Sequence, residues 1–181
     1  SSTLDLDTIL LKTLDLASMT TGRSLGMILL GDPASGRLTM RAALEEYNVL
    51  RTTRQEVSLR VAWALREVAQ KQQPLCIADL ATDPRTSGLP GLPAGARSAI
   101  AVPLVSAETV VGILVLTHSQ AGFFDNDQVR LLLTLGGEVA AAIHNAQLYA
   151  YIDEQAQRLS DMLTHQQEEA SKVRAILHSI T

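Results

Sequence analysis

The side chains that could do chemistry gather around one segment. Asp83, Arg85, Arg97 and Ser98 flank a run from Asp83 to Gly95 that holds three of the six prolines, Pro84, Pro90 and Pro93, together with Gly88, Gly91 and Gly95. Carboxylate, guanidinium and hydroxyl groups beside such a run can hydrogen-bond a polar or anionic ligand. The plainer reading is that Asp79 and Asp83 fix turns and that Arg85 and Arg97 are surface charges. Trp63 is a further candidate for a pocket wall, set against ordinary core packing. A loop this long inside a small domain is uncommon and tends to be functional, so the segment is expected to close over a pocket.

Catalytic chemistry finds less support. Cys76 is the single cysteine, and in the apolar run Leu75-Cys76-Ile77-Ala78 it reads more readily as a small buried hydrophobe than as a reactive thiol. One cysteine cannot supply both the attacking and the resolving thiol of a redox cycle. His118, His144, His165 and His178 are scattered, with no spacing that sets two ligands on one helical face. No metal site is expected, and a haem would have to rest on His118 alone. No nucleophile and base stand at a readable spacing, so the chain is not expected to be an enzyme. No cofactor is named.

Composition narrows the class. The chain has 181 residues, 46% apolar and 19% charged, with a net charge of -4. There is no basic excess for a nucleic-acid groove. The apolar runs Ile28 to Leu30, Ala99 to Val105 and Val110 to Leu116 fall short of the roughly 18 to 20 residues that span a bilayer. The first residues lack the basic head and apolar stretch of a signal peptide, and the lone cysteine fits a reducing compartment, so a cytoplasmic location is expected.

The elements that must position these groups follow from periodicity. Leu6, Ile9, Leu10, Leu14 and Ala17 recur at helical spacing, with Asp5 or Asp7 as the cap and Gly22 as the stop. Ser24 to Leu30 and Leu38 to Leu44 read as a β-hairpin around Asp32-Pro33-Ala34-Ser35-Gly36. Glu45 to Arg54 reads as polar turn, and Val57, Val61, Leu65 and Val68 as the stripe of a second helix that ends at Pro74. Ser98 to Val105 and Thr109 to Thr117 are expected to pair antiparallel at the centre of the sheet. Asp125 and Gln128 carry the signature of a helix start, with Phe124 and Val129 as a hydrophobic staple.

Beyond that start a long helix is expected. Positions 148, 152, 155, 159, 162, 166, 169, 173, 176 and 180 alternate by four and three residues, and seven of the ten are apolar. Leu148, Ile152, Leu159, Met162, Val173 and Ile176 would form the seam of a coiled coil, interrupted by Gln155, Gln166 and Glu169. Such a rod cannot bury its stripe alone, and a homodimer is expected.

Several motifs occur in an order that resembles the GAF domain. They are Ile77-Ala78-Asp79-Leu80-Ala81-Thr82-Asp83-Pro84-Arg85, then Arg97 to Leu104, then Val111-Gly112-Ile113-Leu114-Val115-Leu116, then Phe123-Phe124-Asp125-Asn126-Asp127, then Ala140 to Tyr149. The resemblance covers about residues 4 to 149. It implies an α+β fold: an antiparallel sheet with the first and last helices packed on one face and a small-molecule pocket on the other. The division expected is 1–148 for the sensory domain and 149–181 for a signalling helix. By resemblance the rod joins the sensor to a downstream output domain of the same chain, as in a sensor histidine kinase of a two-component system. The function implied is a non-catalytic sensory and dimerisation module. The alternatives are a structural dimer element with no ligand, or a haem- or cyclic-nucleotide-binding domain of the same family. Pigment-binding relatives usually place a histidine after the attachment cysteine, where this chain has Ile77. The cyclic-nucleotide signature Asn-Lys-x-Phe-Asp is not found.

Overall fold

Strands rich in β-branched and aliphatic residues build one antiparallel sheet. They are β1 (Leu25–Leu30), β2 (Arg37–Glu45), β3 (Val49–Ser58), β4 (Leu75–Ile77), β5 (Ser98–Ser106) and β6 (Thr109–His118), in the order β3-β2-β1-β6-β5-β4. Three helices accompany it: α1 (Ser2–Thr20), α2 (Trp63–Lys71) and α3 (Asn126–Ile180). The structure, a computed structural model, describes residues 2–180, with residues 2–5 by their backbone alone.

The hairpin of β1 and β2 and the pairing of β5 with β6 follow the expected pattern. The centre of the sheet differs: β1 and β6 form the central pair, and β5 lies one strand in from the edge. Two other expectations are corrected. The polar stretch after Glu45 is mostly strand β3, and it is polar because an edge strand has a neighbour on one side only. Val57 belongs to that strand, opposite Leu38, so helix α2 starts only at Trp63, and Val61 is exposed in the turn before it. The first helix starts ahead of both acids proposed as caps. The side chain of Asp5 lies outside the described residues, and Asp7 instead reaches Arg41 at 3.0 Å.

Arg41 is the extra residue of a β-bulge, since Ile28 faces Ala42 while Leu29 faces Met40. The bulge resets the alternation of β2. Leu38 and Met40 point to one face, and Ala42 and Leu44 to the other. On the first face Ile28, Leu30, Val102, Leu104, Leu114 and Leu116 meet Leu10, Leu14, Leu132 and Ile143 of α1 and α3. On the second face Met27, Leu29, Ile113 and Val115 meet Leu65 and Val68 of the short α2.

α1 and α3 pack on each other and run in opposite directions, because the end of α1 touches the entry to α3. A Cβ added at Gly22 would lie 3.0 Å from Phe123 Cζ. A complete capping box opens α3: Asp125 accepts from the Gln128 N–H and Gln128 Oε1 accepts from the Asp125 N–H, each at 2.8 Å. Phe124 and Val129 both pack against the first core. With 55 residues, α3 extends about 80 Å. Its buried positions end at Ile143, and the turns beyond Gln147 are exposed throughout. No helix among the described residues is long and apolar enough to cross a membrane.

Candidate functional site

A cleft of about 500 Å³ opens on the α2 side of the sheet. Its floor is apolar: Met27 from β1, Met40 and Ala43 from β2, with Gly91, Pro93 and Ala94 above. The roof is the segment between Asp83 and Gly95, the loop marked by its prolines and glycines. Its rim is polar, formed by Glu45, Glu46, Tyr47, Arg51 and Gln55 at the β2–β3 connection. There the chain turns through two consecutive left-handed residues, Tyr47 (φ 61) and Asn48 (φ 60), which leaves the Tyr47 ring almost wholly in solvent. Arg51 pairs with Glu45 at 2.6 Å. Hydrogen bonding from that guanidinium is the main reason the Glu45 carboxyl titrates below its ordinary range.

Two glycines set the roof. Gly88 (φ +78) lies so close to Val61 that an added Cβ would collide with the Val61 carbonyl oxygen. Gly91 (φ +69) rests on the floor, where a Cβ would stand 2.9 Å from Met40 Cε and 3.8 Å from Met27 Sδ. Leu89 and Leu92 fasten the same stretch to the second core.

None of the five residues marked from sequence for ligand contact lines this cleft; three of them brace its roof, and Ser98 anchors the turn after β6. Asp83 caps the single helical turn at Pro84 and pairs with Arg85 at 2.6 Å, at the start of the loop. The Arg85 side chain and backbone N–H together hold the Asp83 carboxyl down at about 2. At the other end Arg97 pairs with Asp79 at 3.0 Å, while the Leu80 N–H donates to the Arg97 carbonyl at 2.7 Å. Ser98 is fully buried, and its hydroxyl donates to the Gln120 carbonyl at 2.6 Å. Trp63 is neither core nor cleft: it is 45% exposed and borders a shallow hollow on the outer side of α2 with Arg66, Glu67, Gln70 and Lys71. Met27, Met40, Glu45, Glu46, Arg51 and Gln55 were not singled out from sequence: the methionines read as ordinary strand residues, and the bulge that brings Ala43 onto the face of Met40 is not visible in a hydropathy pattern. Cys76 is also corrected. It is exposed on the edge strand β4, and partial desolvation raises its thiol pKa.

A second hollow of about 130 Å³ adjoins the cleft and shares Glu46, Pro93 and Thr117 with it. It adds Arg23, Leu25 and His118 to the lining. Along the tail of α3, Leu148, Ile152, Leu159, Met162, Val173 and Ile176 stand exposed, as does Leu163 beside them.

The chain matches the family model for the GAF domain over residues 3–144. None of the curated proteins matches it at a significant level. Among solved structures it is similar to the GAF domain of an Acinetobacter phosphoenolpyruvate-protein phosphotransferase, at 21% identity and TM-score 0.67 over 79% of this chain and 84% of that one. It is similar to the second GAF domain of DevS from Mycobacterium smegmatis at 18% identity and TM-score 0.60, over 83% and 99%. An enzyme, the free methionine-R-sulfoxide reductase of Neisseria meningitidis in complex with its substrate, is similar at 17% identity and TM-score 0.61, over 80% and 81%.

Proposed function

This chain belongs to the GAF domain family, and we propose from that premise that it is a non-catalytic sensory and dimerisation module of a signal-transduction protein. A small molecule in the cleft sets how α1 and α3 pack, and α3 relays that state to an output domain further along the chain. The observation that carries the reading is the cleft itself. It lies on the face of the sheet opposite the terminal helices, under a roof pinned at a few points, with an apolar floor and a polar rim. That lining suits a small molecule with an apolar body and one polar or charged end. The ion pairs Asp83–Arg85 and Asp79–Arg97 enter the proposal as braces of the roof, and Ser98 as an anchor of the turn after β6. The non-catalytic part is supported by the lone thiol, which sits on an edge strand and does not line the cleft.

Thermal unfolding against a panel of small molecules tests the cleft. Selective binding to the folded form raises the midpoint, and Ala43→Trp, which fills the floor, should abolish the rise. A panel that moves neither protein, or both equally, leaves a purely structural element and overturns the sensory reading. The dimer is tested by sedimentation. The exposed stripe should pair two tails with Leu159 in the seam, and Leu159→Asp should dissociate them. A wild-type monomer at high micromolar loading ends the dimer reading.

A further inference from the structure

His118 closes β6, and its ring stacks on Phe123 with centroids 3.5 Å apart and planes 4° from parallel. Its Nδ1 accepts the backbone N–H of Gln120 at 3.0 Å, which requires the neutral ring with its proton on Nε2. The Gln120 carbonyl is held in turn by the Ser98 hydroxyl, from the residue that faces His118 across the ladder. The imidazole therefore holds the turn from 118 to 123 at two points, Gln120 and Phe123, beside the bonds from the Ser98 hydroxyl and from the Gly122 N–H to the Ala78 carbonyl at 2.8 Å.

Both neighbours of that turn matter. On one side Phe123 packs edge-on against Phe124, at 5.2 Å and 85°, just ahead of the capping box that starts α3, and its tip occupies the space beside Gly22 at the end of α1. On the other side His118 lines the small hollow that shares Glu46, Pro93 and Thr117 with the cleft. His118 is the one residue that borders the hollow and whose ring stacks on Phe123, among the described contacts. Its neighbour Thr117 faces the cleft, and by the alternation of β6 the imidazole lies on the side of Leu114 and Leu116, towards the terminal helices.

We propose that His118 is the joint between the cleft and the terminal helices. With the imidazole neutral, Nδ1 holds the Gln120 N–H and the ring holds Phe123 against Gly22. Transfer of a proton from solvent to Nδ1 turns that acceptor into a donor facing another donor; the turn reorganises and Phe123 leaves the end of α1. A ligand that displaces Glu46, Pro93 or Thr117 acts on the end of β6 that carries the ring, and this ligand-driven half rests on the reading of the cleft as a ligand site. The proton-driven half does not.

The charged groups around His118 come from four elements. Arg23 follows α1, and Glu46 follows β2; both line the hollow. Arg97 precedes β5; its N–H donates to the His118 carbonyl at 2.8 Å, and its guanidinium is turned to Asp79. From the entry to α3, the Asp125 carboxylate is engaged by the Gln128 N–H. Burial already lowers the His118 pKa below its ordinary value, so the release falls on the acid side of it. The sign is that of a group whose folded pKa is depressed: the stack is intact above the unfolded value and is lost as pH falls through the folded one.

An NMR titration of the whole chain without ligand, from about pH 8 to about pH 5 where histidines titrate, decides the matter. The Gly22 and Gln120 amide signals should move with the same midpoint as the His118 ring. His118→Phe keeps the stack and removes the titrating acceptor, so both amide titrations should vanish. His118→Asn keeps an acceptor without the stack, and its Gly22 signal should sit near the low-pH position at every pH. Amides with a midpoint unlike that of His118, or still titrating in His118→Phe, overturn the joint; the wild-type titration alone suffices should a variant not fold. Saturation of the cleft by a compound that leaves the Gly22 and Phe123 signals unmoved also overturns it. A cleft that binds nothing while the amides titrate with His118 overturns the ligand reading and spares the proton-driven joint.

Discussion

Ala42 and Ala43 are neighbours in β2 and face opposite sides of one sheet, into surroundings that differ in kind. Ala42 is fully buried beneath the long terminal helices. Ala43 is nearly as buried, yet it also floors a cleft of about 500 Å³ beneath a loop. The helix side is closed by α1 and α3 over the whole breadth of the core, and the other side by a nine-residue helix and a roof pinned at Gly88 and Gly91. A sheet finished this way has one face that can take up a ligand and one that can pass a change along the chain.

The largest effect that tests this contrast is a truncation on each side. Leu116→Ala on the closed face leaves a void among residues that cannot collapse into it, and should cost about 2–5 kcal/mol in urea denaturation. Met40→Ala opens onto space that already exists, beneath a roof able to settle, and should fall at or below about 2 kcal/mol, the low end of the same range. Equal losses would mean that the two faces are packed alike.

Adding volume reverses the order. Ala42→Leu forces extra carbons into the closed core and should destabilise by about 1–3 kcal/mol. Ala43→Leu extends into the cleft and should be neutral within about 0.5 kcal/mol, or stabilising. The same substitution, one residue apart, then reads the difference between the faces directly. A loss at Ala43 matching that at Ala42 would show the cleft to be closed in solution.

Much of the closed face was legible in the sequence, and little of the open one. The capping box at Asp125, the hairpin at Asp32 to Gly36 and the long uninterrupted α3 are local patterns, each resting on residues within a few positions of one another. The roof loop announced itself by its prolines and glycines for the same reason. The floor did not, because Ala43 joins Met40 on one face only through a bulge at Arg41, and Arg41 is held by Asp7 from a helix more than thirty residues earlier. The polar character of β3 reflects its place at the edge, which is a property of the assembled sheet and suggested a turn when read alone. Charged residues at the loop ends drew attention as ligand contacts, whereas the fold pairs them with one another.

Those pairs give the open face a pH dependence of its own. Asp83 titrates at about 2, chiefly through its hydrogen bonds from Arg85. Its ordinary value in an unfolded chain is about 3.9. A depressed carboxyl stabilises the fold above the unfolded value, and that contribution is lost as pH falls from about 4 towards 2. Amide exchange around Thr86 and Leu89 should therefore quicken over that window ahead of exchange in the α1–α3 face. In Asp83→Asn the loop should exchange at the faster rate already at neutral pH. Uniform quickening on both faces would remove the distinction between a braced roof and a closed core.

The smallest expected effect lies within α3 and mirrors the alanine pair. Gly136 and Gly137 stand side by side in the helix; a Cβ at Gly136 would lie 3.3 Å from Leu104 Cδ2, and one at Gly137 would meet nothing within 4 Å. Alanine is favoured over glycine in a helix by about 0.8–1 kcal/mol, so Gly137→Ala should stabilise by nearly that amount. Gly136→Ala gains the same helix propensity but must push the end of Leu104 aside in a core with no room to spare, and its net gain should be clearly smaller. Equal gains would show that α3 is not seated closely on β5. The Gly137 measurement carries a further distinction when repeated across protein concentrations. A gain that is constant places this turn outside any contact between two copies, whereas a gain that shrinks as the protein self-associates means that a second chain comes close to the helix where Gly137 lies bare.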